Sequence, residues 1–109
     1  MDITVADDRE ALVRFDLAQT ARRAGDACAA LVIETATTPA QWLAVASNLR
    51  SARTVRGSHV PGLYAAHEAA EALSRDNLDG ALDVLADGCG MPVSQWLELT
   101  RNERAEVQS

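Results

Sequence analysis

Lysine is absent from this chain, and all ten basic side chains are arginine. That excludes phosphate-loop lysines, Schiff bases and lysine nucleophiles. Arginine and alanine used this heavily without lysine suggest a GC-rich genome, as in many bacteria and their phages. Aromatic residues are scarce as well, at 4%. Most of the 48% apolar content is therefore alanine, leucine and valine. Alanine buries little area per residue, so the core has to be thin and closely packed.

Long apolar runs are missing too, and the amino-terminal "MDITVADDRE" has no basic flank leading into an apolar stretch. Neither a membrane span nor a secretion signal is expected, and a cytosolic location follows. Two cysteines in such a compartment are free thiols rather than a disulfide framework. Cys28 lies in an apolar run and reads as a small core residue. Cys89 sits between Gly88 and Gly90 with no histidine or acid at a recognisable spacing, so no reactive role is assigned to it.

What is present is acid. Sixteen acidic groups against ten basic ones give a net charge of −6, which disfavours nonspecific binding to nucleic acid and anionic membranes. The 109 residues suit one domain.

Periodicity and capping signals predict an all-α, compact domain of five or six helices. The first starts near Asp7, with Glu10 completing a capping-box pattern, carries Leu12, Phe15, Leu17 and Ala21 inward, and stops at Gly25. Asp26 caps "ACAALVIETA", apolar on nearly every side and so expected to be the buried helix, with a strand near Leu31 to Ile33 as the alternative. Thr38, Pro39 and Gln41 start a third helix, with Trp42, Val45 and Leu49 inward. "RGSHVPG" then breaks the chain. The segment "LYAAHEAAEALS" is an amphipathic fourth helix and "ALDVLADG" a fifth. A last helix from about Pro92 carries Trp96 and Leu99 inward.

The only two tryptophans recur in one phrase: Gln41, Trp42, Leu43, Asn48 and Arg50 are answered by Gln95, Trp96, Leu97, Asn102 and Arg104. Each phrase follows a proline and a two-helix pattern, so 7–56 and 62–104 read as degenerate copies of a three-helix unit. Each tryptophan is expected to anchor its helix onto the preceding hairpin.

Two surfaces are candidates for function. Asp79, Asp83 and Asp87 step by four and form one stripe, with Asp76 in the turn before it and Glu68 and Glu71 on the preceding helix. Aspartate is a poorer helix former than glutamate, and short acidic side chains suit docking onto a basic macromolecule such as a nuclease, a nucleic-acid-binding protein or a toxin. A small non-enzymatic interaction or inhibitory protein is the leading expectation. The alternative is a dimeric helix-turn-helix regulator. "LADGCGMPVSQWLEL" resembles the motif of small prokaryotic regulators, with Ala86 and Gly90 at the small-residue positions, and Ser94, Gln95, Glu98 and Arg101 would face DNA. The stripe of aspartates beside it has the wrong sign for phosphate.

No serine elbow, cysteine–histidine pairing or glycine-rich phosphate loop is present, so no catalytic residue and no cofactor are expected. "DNLDG" evokes a calcium loop, but counting back from Gly80 puts Arg75 and Ala86 where acids belong. His67 and Glu71 share a helix face, with His59 conceivable as a third ligand. Nothing else fixes a site, and both are read as surface residues.

Overall fold

The computed structural model describes residues 8–56 and 62–108, and the side chains of 53–56 are outside that description. Every regular element among the described residues is helical: α1 (Arg9–Arg23), α2 (Ala27–Thr35), α3 (Pro39–Arg56), α4 (Leu63–Ser74), α5 (Leu78–Gly88) and α6 (Val93–Gln108). The six-helix, all-α architecture is as the periodicity predicts, and residues 31–33 are helix rather than strand.

Local chemistry sets most of the starts. At α3 the expected capping box forms: Gln41 Oε1 accepts from the Thr37 and Thr38 amides at 2.8 and 3.0 Å, and Thr38 Oγ1 accepts from the Gln41 amide at 3.2 Å. At α1 the box expected between Asp7 and Glu10 falls partly outside the described residues. The helix begins at Arg9 and Asp8 makes no side-chain cap. Instead the Asp8 carboxylate accepts from Arg101 Nε and Nη2 at 2.7 and 2.8 Å, and Glu10 pairs with Arg14 at 3.2 Å. The bidentate ion pair sets two opposite charges together as well as making two hydrogen bonds, and through it Asp8 joins α1 to α6. Asp7 lies outside the described residues.

One turn geometry occurs twice. After α1, Gly25 at φ +79° carries the chain to Asp26, whose side chain accepts from the Ala29 amide at 2.9 Å. After α4, Asp76 at φ +56° carries it to Asn77, which accepts from the Gly80 amide at 2.9 Å. In both, the capping residue's own amide reaches back to the helix just ended, Asp26 to the Ala21 carbonyl and Asn77 to the Ala72 carbonyl, each at 2.9 Å.

Both tryptophans are core residues, at 5% and 2% exposure. The helices carrying them are not seated alike. The Trp42 ring meets Arg14 of the preceding hairpin, in line with its expected place as an anchor, but α3 as a whole packs mainly on α4 and only lightly on α2. The stretch 57–61, where the chain was expected to break, lies outside the described residues. α1 is the hub and contacts α2, α4, α5 and α6. Its buried side is Leu12, Val13, Leu17, Ala18, Thr20 and Ala21, and Phe15 is only half-buried.

α2 corrects the expectation of a buried helix. Only Ala29, Ala30 and Ile33 turn inward, while Leu31 is 64% exposed and Cys28 is exposed rather than core. A helix of nine residues beside one neighbour hairpin buries a single stripe, and its apolar composition does not change that geometry. At α6, Trp96 and Thr100 face the core and Leu99 is 46% exposed. The inward stripe steps by four from Trp96, which brings threonine rather than leucine to the interior.

Candidate functional site

The acidic stripe is built on α5. The Asn77 cap fixes where the helix starts, Ala81, Leu82, Leu85 and Ala86 turn to the core, and Asp79, Asp83 and Asp87 are left outside. All three are exposed, as is Asp76 in the turn before them. Asp79 lies 3.4 Å from the Arg9 guanidinium at a well-solvated position. Among the described residues no hydrogen bond or ion pair engages the carboxylate of Asp83 or Asp87.

Beyond Gly88 the chain turns within four residues. The Cys89 and Met91 amides donate to the Ala86 carbonyl at 3.0 and 3.1 Å, and Gly90 takes a left-handed φ of +69°. This brings the start of α6 against the end of α5. Between them lies a shallow depression of about 470 Å³ lined by half-buried Val84, Met91 and Val93 and by the exposed Pro92, Asp83 and Asp87. Met91 and Val93 were not read as functional from sequence. Their contribution comes from the turn, which no periodicity reports.

Glu68 and Glu71 do not share the solvent setting of the aspartates. Both are half-buried and face His67, with Glu68 Oε2 at 3.5 Å from Nδ1 and Glu71 Oε1 at 3.6 Å from Nε2. His67 is buried, which corrects its reading as a surface residue.

The residues named for DNA divide. Ser94, Gln95 and Glu98 are exposed along the first turns of α6. Arg101 is exposed too, but its guanidinium is engaged by Asp8, whose carboxyl it holds below the usual range. Next to Ser94 and Gln95 in the chain lie Pro92 and Val93 of the depression, which Asp83 and Asp87 also line.

A second cleft of about 330 Å³ lies between α1, α2 and α6, with Phe15, Ala18 and Val107 among its walls. Two of its three arginines are committed to the fold: Arg22 pairs with Glu34, and Arg14 donates to the Ile33 and Ala36 carbonyls, while Arg104 lines the α6 side. On the α1 side facing α5 and α6, burial pushes the Asp16 carboxyl up to about 6, with the nearby Glu103 adding to the shift and Arg23 opposing it.

Comparison with protein-family models, with curated proteins and with solved structures finds no match for this chain.

Proposed function

We propose that this chain works by binding, and that the α5–α6 face receives basic side chains from a protein partner. The observation that carries the reading is the pairing of Asp83 and Asp87 with the apolar lining formed by Val84, Met91 and Val93. Arginine and lysine are amphipathic, with an apolar stem and a cationic head. Exposed carboxylates beside half-buried apolar side chains suit both parts. Asp79 and Asp76 extend the same sign of charge toward the other end of α5, and the net charge of −6 steers a basic partner inward.

The nucleic-acid alternative gains less support. Phosphate approaching Ser94 and Gln95 would meet Asp83 and Asp87 first, and Arg101 already has Asp8 as a partner. A basic nuclease or toxin is the class of partner whose charge the face complements.

The test is an amide-resolved NMR titration of the full chain, first with an arginine-rich peptide and then with duplex DNA at low salt. The peptide should shift the signals of Asp83, Asp87, Met91 and Val93, and Asp83→Asn with Asp87→Asn should remove the shifts while the helical spectrum is kept. Shifts from DNA centred on Ser94 and Gln95, or peptide shifts indifferent to the double substitution, would overturn the reading.

A further inference from the structure

His67 is an unusual residue to bury. It lies on α4, the helix most enclosed by its neighbours, at 8% exposure, and its Nδ1 is out of contact with solvent and without a hydrogen-bond partner. A buried polar atom left unpaired is costly and calls for an account. The nearest polar atom to Nδ1 in its cluster is a Glu68 oxygen at 3.5 Å, too long for a hydrogen bond and close to the separation of two donors sharing one ion. Two ligands each about 2.1 Å from a tetrahedral centre stand roughly 3.4 Å apart. Glu71 Oε1 lies 3.6 Å from the other ring nitrogen, Nε2, and has to swing round the ring to join a centre at Nδ1.

We propose that His67, Glu68 and Glu71 hold one divalent transition-metal ion. His67 ligates through the unpartnered Nδ1, Glu68 supplies oxygen beside it, and Glu71, one oxygen of which faces Nε2, supplies the third donor. One donor atom from each residue already lies within 4.8 Å of the others. Closing that set onto one ion brings its widest-spaced donors from as much as 4.8 Å to about 3.4 Å apart, a movement of over an ångström that a rotamer change of the half-exposed Glu71 supplies. The sequence places them for it: in "HEAAE", His67 and Glu71 are one helical turn apart on one face, and Glu68 adjoins the histidine.

The donor set selects the class of ion. One imidazole with two carboxylates favours zinc, manganese, iron(II) or cobalt, whereas calcium and magnesium prefer all-oxygen shells. Three protein ligands leave positions for water on the side where the glutamates meet solvent. The proposal is independent of the acidic α5–α6 face, since it uses none of the aspartates.

Titration of the full-length, metal-free protein with cobalt chloride, followed by visible absorption, and with zinc chloride, followed by calorimetry, tests it. One equivalent should bind, and cobalt should give the absorption of a low-coordinate nitrogen–oxygen site. Glu71→Gln, at a half-exposed position, should keep the helical circular dichroism and weaken binding by tenfold or more. His67→Gln should abolish the cobalt spectrum, and cobalt should shift the ring signals of His67 rather than those of His59. Absence of binding, binding unchanged in both variants, or a paramagnetic effect centred on His59 would each overturn the assignment. If His67→Gln unfolds the chain, Glu71→Gln and the histidine ring signals still decide.

Discussion

The Arg14 guanidinium lies 5.0 Å from the centroid of the Trp42 ring, and from that position it also donates to the carbonyl oxygens of Ile33 and Ala36 at 2.6 and 2.7 Å. One side chain on α1 thereby closes the carboxyl end of α2 and covers the indole of α3. Exposed helix-terminal carbonyls need partners, and a flat cation with several donors serves two at once while resting on an aromatic face.

Arg14→Met keeps an apolar stem and removes the donors. It should cost about 2–4 kcal/mol, from two charge-assisted hydrogen bonds and a cation–π contact. Arg14→Lys should recover less than half, because a lysine head does not reproduce the fork. Urea unfolding followed by circular dichroism measures both. A loss below about 1 kcal/mol for Arg14→Met would mean that water satisfies those carbonyls equally well.

Stability should rise on mild acidification because of Asp16. Burial, and secondarily Glu103, raise its folded value to about 6 from 3.8, against the pull of Arg23. The folded chain thus holds the Asp16 proton more tightly than the unfolded one. The favourable contribution of that proton is full below about pH 4, fades as pH rises from 4 to 6, and is gone above 6. Asp16→Asn should therefore stabilise the protein by on the order of 2 kcal/mol at pH 7 and by almost nothing at pH 4. Asp8 works in the opposite sense and lower down: Arg101 lowers its value, so its contribution is present above pH 3.8 and is lost on further acidification. Denaturation series that cover the range from pH 7 to 4 for Asp16 and continue below 3.8 for Asp8 separate the two, and an Asp16→Asn gain that does not vary with pH would refute the account.

The helices were largely legible in sequence because their punctuation is chemical: Thr38 with Gln41, and Asp26 or Asn77 before an apolar run, each satisfy orphan amides locally. The inward sides of α1 and α3 were legible too, at Leu12, Leu17, Trp42, Val45 and Leu49; what escaped was how far α2, α4 and the last turns are enclosed by their neighbours. "ACAALVIETA" reads as interior by composition, yet its position at one side of the bundle leaves Cys28 and Leu31 outside. His67 reads as surface beside two glutamates, but α4 is enclosed by α1, α3 and α5. The aspartates of α5 were visible as a period of four. The apolar side chains beside them were not, since Met91 and Val93 arrive there through the turn at Gly90.

The repeated turn geometry gives a direct prediction. Asp76 holds a left-handed φ of +56° at the position where the earlier turn uses Gly25. A side chain pays roughly 1 kcal/mol or more there relative to glycine. Asp76→Gly should raise stability by about 0.5–1 kcal/mol, read as an increase of a few degrees in the midpoint of thermal unfolding. A decrease would show that the Asp76 carboxylate makes a favourable contribution larger than the backbone strain.

The two thiols should react at different rates although both are exposed. Burial, with Asp16 and Glu103 adding to it, pushes the Cys89 thiol up, so less of it is thiolate at neutral pH. Iodoacetamide at pH 7.5 should label Cys28 several-fold faster than Cys89, as read by peptide mass spectrometry. Asp16→Asn should narrow the gap, and preferential labelling of Cys89 would contradict the electrostatics.

The bond between Asp8 and Arg101 spans 93 positions. On the ribosome, α1 can fold back on α2 early, but the side of it carrying Ala11, Phe15 and Ala18 waits for Arg104 and Val107 to be synthesised. At elongation rates of roughly 5–20 residues per second that wait lasts about 5–20 seconds. A nascent chain stalled just short of Arg101 would leave Phe15 and the α1 side of that cleft open, and synthesis of α6 is the step that closes it.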